Sequence, residues 1–211
     1  MGIILPILLI IFSYLIGSIP FGVIVGKLRG IDIRNCGSHN IGATNAMRTL
    51  GPIWGFIVWF LDMIKASVFV IITLYFFHYQ NDFFKIEIHP LVYGMCGALG
   101  HLFPIYLKFK GGKGVSSFIG VILVYSWPHA ILCLSVFTIV VAITKYVSLG
   151  SCLAAISLLI SFLIYPYVEI EFILFTIIAA TLLISKHIPN IKRLINGTEN
   201  KINFKKNKSA N

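Results

Sequence analysis

Residues 3–25 contain no charged side chain, and further apolar stretches follow at about 53–77, 89–107, 115–144, 147–166 and 170–185. A helix that crosses a bilayer needs roughly 20 apolar residues, because the hydrocarbon core is about 30 Å thick and each helical residue rises about 1.5 Å. In lipid the backbone must satisfy its own hydrogen bonds, and a helix does so within one segment. The pattern predicts an all-α, polytopic integral membrane helix bundle. Composition points the same way: 58% of the 211 residues are hydrophobic and 11% charged, against roughly 45–50% and about 25% for a soluble domain. A soluble core, a disordered chain and a disulfide scaffold are thereby excluded. Residues 3–25 have no basic segment before them and no small-residue cleavage site, so they read as a retained helix rather than a signal peptide.

The 115–144 stretch is too long for one span and holds Trp127-Pro128-His129 at its middle. It is expected to divide into two short helices, 115–126 and 129–144, turning at Pro128, because proline breaks the hydrogen-bond ladder. Seven spans result, with five as the alternative. If the N-terminus lies outside, alternation brings every Lys and Arg inside except Lys65, within a span, and Lys85. Asp82, Glu87, Glu169 and Glu171 fall outside. This is the positive-inside bias, and it predicts N-out and C-in. Residues 1–200 read as one membrane domain and 201–211 as a basic, disordered cytoplasmic tail able to touch anionic headgroups.

The polar minority collects in three islands that this topology puts on one side of the membrane. The first, Gly37 to Arg48, mixes Ser, Thr, Asn and Gly, residues that favour exposed backbone N–H groups and helix N-caps, where anions bind. The second, Lys108 to Ser117, holds Gly111, Gly112 and Gly114 among lysines; glycines allow close backbone approach to an anion. It is not a Walker A loop, since Leu107 stands where the first Gly belongs and Gly114 follows the lysine. The third runs from Ser185 past Glu199, with His187 and Asn190 three apart and so on one helical face. Asp62 and Lys65, also three apart but inside a span, read as a mutual pair; His101 reads as a cap or a buried hydrogen bond. No HExxH spacing supports a metal, and no His is followed by Asp five residues on.

Together the stretches GSIPFGVIVGKLRGIDIRNCGSHNIGATNAMRTLG (17–51), GHLFPIYLKFKGGKGVSS (100–117) and KHIPNIKRLINGTE (186–199), with Lys145 to Ser151 between them, resemble the bacterial acyl-phosphate:glycerol-3-phosphate acyltransferases over nearly the whole chain. Departures are His39 where the family usually has Gly, Lys186 where Arg is common, and Pro189 interrupting the third motif. The resemblance implies acyl transfer from a long-chain acyl phosphate to sn-glycerol 3-phosphate, giving lysophosphatidic acid and phosphate. It implies Ser38, Arg48, His187 and Asn190 as catalytic residues. Lys110, Gly111, Gly112, Lys113 and Gly114 become the phosphate loop, Ser148 a further binding residue with Ser151 its rival, and Glu199 a structural partner. No cofactor, metal or nucleic acid is implied. The implied partners are the two substrates, membrane lipid and a functional link to an enzyme that makes acyl phosphate. The implied place is the bacterial cytoplasmic membrane, multi-pass, with the site on the cytoplasmic face. The alternative is a small transporter or channel for phosphate esters, with the islands as its inner gate.

Overall fold

The computed structural model describes residues 4–77, 88–166 and 168–202, and among them every regular element is helical. The order is α1 (Ile4–Gly17), α2 (Phe21–Leu28), α3 (Ala43–Leu50), α4 (Pro52–Ile71), α5 (Pro90–Leu102), α6 (Val115–Tyr125), α7 (Trp127–Thr144), α8 (Val147–Ile160) and α9 (Ile170–Ile195). A π-helical turn, Ile72–Phe77, extends α4.

Among the described residues, five helical stretches are long and apolar enough to cross a bilayer: Ile4–Leu28, Pro52–Tyr75, Pro90–Leu107, Trp127–Thr144 and Ile170–Ile195. Val115–Tyr125 and Val147–Leu163 are apolar but shorter. The expected division of 115–144 occurs, two residues before Pro128. The break falls at Ser126, and Pro128 lies in the first turn of α7, where its missing N–H has no helical partner to lose. Only α6 is therefore short, while α7 keeps a full 18 residues. The first span is not continuous, since Ser18 to Pro20 separate α1 from α2. Pro189, by contrast, does not interrupt the third motif: α9 runs straight through it, because proline's fixed φ is helical and the local loss is one hydrogen bond.

Helix α4 lies at the centre, packed on α1, α3, α5 and α6, while α8 joins α7 to α9. Met63, Ala66 and Val70 of α4 meet Ala98 and Leu102 of α5, Phe118 and Ile122 of α6, and Phe175 of α9 in one core cluster. Small residues allow the closest approach. A β-carbon on Gly17 of α1 would lie 2.1 Å from the Gly97 carbonyl oxygen of α5, and Ser13 Oγ donates to the Tyr93 carbonyl at 2.5 Å. This is how helices associate where lipid removes the hydrophobic drive between them. The outer surface stays apolar: Leu163 is 84% exposed, Ile143 77% and Ile4 66%, as suits contact with acyl chains rather than water.

The expected Asp62–Lys65 pair is present at 2.7 Å, both residues buried. Lys65 also donates to the Ile19 carbonyl at 2.7 Å, tying α4 to the break between α1 and α2. At the ends of α5, α6 and α9 remote from the islands, Tyr125 donates to Glu169, and His89 lies 3.3 Å from the same carboxylate. Asp82, Lys85, Glu87 and residues 203–211 of the tail lie outside the described residues.

Candidate active site

The three islands converge on one cavity of about 550 Å³ whose walls are apolar and whose mouth is polar. The first island is held together by Asn45, buried in the first turn of α3. Its Nδ2 donates to the carbonyls of Ile33 (2.8 Å), Cys36 (3.1 Å) and Asn40 (2.8 Å), and its Oδ1 accepts from the Ser38 backbone N–H at 2.8 Å. The two N–H groups of one amide are shared among three carbonyls while its oxygen holds a fourth backbone group, so the loop that presents Ser38 has a fixed shape. One turn further along α3, Arg48 reaches the cavity and donates to the Asn200 carbonyl at 3.1 Å, leaving its buried Nε without a partner among the described residues. Burial lowers the Arg48 pKa, with Glu199 opposing and Arg193 adding to the effect.

The second island is a tight corner. The Gly112 N–H donates to the His101 carbonyl at 3.0 Å, and a β-carbon on Gly111 would come within 2.3 Å of the same oxygen. Gly114 has φ +83 and starts α6. The corner delivers Lys113 into the cavity, where Nζ donates to Asn190 Oδ1 at 2.5 Å. Burial holds the Lys113 pKa down to about 8; Arg193 and Arg48 push the same way, and Glu199 opposes them.

The third island places His187 and Asn190 on one buried face of α9. A carbonyl only accepts, so the 2.8 Å contact of His187 Nδ1 with the Leu183 oxygen assigns the proton to Nδ1 and the lone pair to Nε2. Glu199 is the hub: Oε1 accepts from Asn190 Nδ2 and Ser148 Oγ, and Oε2 from Arg193 Nε, each at 2.7 Å. Burial would raise its pKa, but these hydrogen bonds outweigh burial and hold it below the usual range. Beyond α9 the chain turns at Gly197 (φ +68) and crosses the mouth; the Ile202 N–H donates to the Lys145 carbonyl at 2.8 Å, and Ile202 closes one side of the cavity.

Of the expected residues, Ser38, Arg48, Lys113, Gly114, Ser148, His187, Asn190 and Glu199 line this cavity. Lys110 is exposed, and Gly111 and Gly112 stand behind the lining, against residues 101–104. Both rival serines reach the cavity, but Ser151 Oγ donates to the Val147 carbonyl while Ser148 serves Glu199. Asn45 and His101 were not singled out for the site; an amide seven residues after Ser38 gives no signal until the loop is folded around it. Among the described residues, the cluster able to present several metal-ligating atoms together is His89, Glu169 and Glu171, away from the cavity.

Among the described residues the mouth thus carries two cations, Arg48 and Lys113, with no carboxylate paired directly to either side chain, and the Glu199 carboxylate is held by Arg193, Asn190 and Ser148. It suits an anion, and the apolar walls suit a hydrocarbon chain attached to it. The family model described as "Glycerol-3-phosphate acyltransferase" matches residues 7–197. Relatives of that name include one from Thermotoga petrophila, 43% identical over 196 residues and covering 92% of this chain and 95% of its own. Another, from Bacillus subtilis strain 168, is 45% identical over 200 residues, covering 93% and 97%. Among solved structures, the glycerol 3-phosphate form of PlsY (YgiH), an integral membrane glycerol 3-phosphate acyltransferase, superposes with a TM-score of 0.83 at 35% identity, covering 94% of this chain and 96% of that one. Its lysophosphatidic acid form gives 0.81 at 34% identity.

Proposed function

The chain belongs to the glycerol-3-phosphate acyltransferase family and is a membrane-integral acyltransferase, and from that premise we propose that its donor is a long-chain acyl phosphate. The acyl group passes to the 1-hydroxyl of sn-glycerol 3-phosphate, giving 1-acyl-glycerol 3-phosphate (lysophosphatidic acid) and inorganic phosphate. One observation carries this reading: a single cavity joins a cationic, hydrogen-bonding mouth to an apolar interior.

Both reactants carry a phosphate, so two cations at the mouth match the substrate pair. Arg48 can grip one phosphate bidentately through its fork of donors, while Lys113 acts as a point charge. Ser38 and Ser148 contribute hydroxyls, and Gly114 backbone at the start of α6. The acyl chain lies along Phe118, Ile122, Leu158 and Leu183. An acyl phosphate is an activated mixed anhydride. The glycerol oxygen forms the new bond to the acyl carbon, the bond to the phosphate oxygen breaks, and the hydroxyl proton leaves on the departing phosphate or on His187 Nε2. Alignment and charge stabilisation are then the main tasks of the protein. Asn190 orients the site by holding Lys113, and Glu199 holds Asn190. Lys110, Gly111 and Gly112 belong with Lys113 and Gly114 to the phosphate-binding loop that the resemblance implies.

The location that fits this chemistry is the bacterial cytoplasmic membrane, with seven crossings, N-terminus out, C-terminus in, and the mouth on the cytoplasmic face. There a functional link to the enzyme that makes the acyl phosphate gives the donor a short path. The test is a purified preparation with labelled glycerol 3-phosphate and either acyl phosphate or acyl-CoA. Product is expected with acyl phosphate, without metal or nucleotide and unaffected by chelator; equal use of acyl-CoA, or loss of activity with chelator, overturns the reading.

A further inference from the structure

His101 lines the cavity yet is not accounted for by the reading above, and its surroundings connect it to two other buried charges. It is 4% exposed, and its Nδ1 lies 3.5 Å from Asp62 Oδ1, a close approach without hydrogen-bond geometry. Asp62 is itself fixed: its carboxylate meets Lys65 at 2.7 Å, and its carbonyl accepts from Ser117 Oγ at 3.2 Å. Lys65 in turn donates to the Ile19 carbonyl. On the other side of the ring stands the glycine corner. A β-carbon on Gly112 would lie 2.1 Å from His101 Nε2, so the ring abuts the α-carbon of Gly112. The Gly112 N–H is also bonded to the His101 carbonyl. One residue therefore fixes Gly112 twice, by backbone and by ring, and Lys113 is the next residue in the chain.

We propose that the Asp62–His101 pair is the positioning device for the glycine corner and thereby sets the place of Lys113 in the cavity. His101 acts through Lys113. The buried ring Nδ1 has no hydrogen bond among the described residues, so facing the carboxylate that Lys65 holds is its favourable orientation. The ring cannot tilt away, and Gly112, which has no side chain, accepts the contact that any other residue would refuse. A shift of the corner would move Lys113 away from Asn190 and from the anion. Fixed charge is effective only when its position is fixed in advance.

This inference rests on the reading that Lys113 binds a substrate phosphate, and a double-mutant cycle separates the two. His101→Asn keeps a donor for Asp62 and removes the part of the ring that touches Gly112. It is expected to raise KM for glycerol 3-phosphate or acyl phosphate by about tenfold with kcat changed less than about threefold, the mark of lost ground-state and transition-state binding together. Lys113→Ala should raise the same KM, and the double variant should be no worse than Lys113→Ala alone, because coupled residues are not additive. Gly112→Ala pushes the corner from the opposite side and should reproduce the His101→Asn effect, so the test stands if His101→Asn fails to fold. If Lys113→Ala raises KM while His101→Asn and Gly112→Ala leave it unchanged, or act additively with it, the positioning role is wrong and the phosphate reading survives. If Lys113→Ala leaves every KM unchanged, both fall.

Discussion

Arg48 and Lys113 both line the cavity, and under the proposed phosphate-binding role their chemistry makes different predictions. Arg48→Lys keeps the charge but loses the planar fork, so it should cost about 1.5–3 kcal/mol of a charge-assisted contact, or roughly ten- to a hundredfold in kcat/KM. Near-normal kinetics would reduce Arg48 to a charge that sets topology. For Lys113 the sign follows from its burial. Its pKa is held down to about 8, so the free enzyme carries the ammonium below pH 8 and loses it above. The second ionisation of a phosphate monoester, near pH 6, is complete before that. kcat/KM is therefore expected to fall as pH rises through about 8, with a weaker effect on kcat because bound phosphate returns the proton to the amine. A kcat/KM profile flat to pH 10 would remove Lys113 from anion binding. At this scale the sequence was partly legible. His187 announces itself by residue type and shares its spacing with Asn190, whereas Glu199 enters only through the family resemblance. Asn45 does not, because its four partners lie five to twelve residues away along a loop whose path no periodicity encodes. His101 looks like a helix end until Gly112 is seen against it.

The helices were legible where hydrophobic length decides them and less so where a single residue does. The long apolar runs became α4, α5, α7 and α9 because burying backbone in lipid leaves a chain no cheaper choice. Proline was the harder signal. Pro128 starts a helix, where no N–H partner is lost, Pro20 precedes α2 at a break, and Pro189 is absorbed inside α9 at the loss of one hydrogen bond, so residue type alone does not tell the three apart. The small residues that let helices touch are also invisible as a pattern until the pairs are known. Gly17 lies against Gly97, and Gly100 against the Tyr14 carbonyl, so α1 and α5 meet backbone to backbone. A side chain at Gly17 must push them apart. Gly17→Leu is expected to destabilise by about 1–3 kcal/mol or more, as overpacking does, and Gly17→Ala by less, read as melting temperature and folded yield in detergent. A Gly17→Leu protein as stable as its parent would show that α1 and α5 are not packed this closely.

At the scale of the molecule, α6 sets a depth. It has 11 residues, hence a length of about 16 Å, roughly half the hydrocarbon thickness. Yet Lys113 and Gly114 stand at one end and Tyr125, bonded to Glu169, at the other. Two polar clusters so close along the membrane normal cannot both sit at the surfaces of an unthinned bilayer. The long neighbours α4, α7 and α9 span it, so the bundle recesses at least one cluster between them. A recessed mouth suits a substrate whose chain stays in lipid and whose headgroup reacts, and it predicts a specific accessibility map. Single cysteines replace Lys110 or Asn196, both exposed, in a background without Cys36, Cys96, Cys133 and Cys152. They should react with a membrane-impermeant thiol reagent only after the cytoplasmic face is opened. A cysteine at Glu171, at the other end of α9, should react in intact cells. Position 112 is a poor probe, because any side chain there collides with His101. The basic residues argue for this orientation through the positive-inside bias, and the two probes on opposite ends of the bundle test it from both sides. Labelling of Lys110→Cys or Asn196→Cys in intact cells would place the mouth outside, where no cytoplasmic acyl donor could reach it.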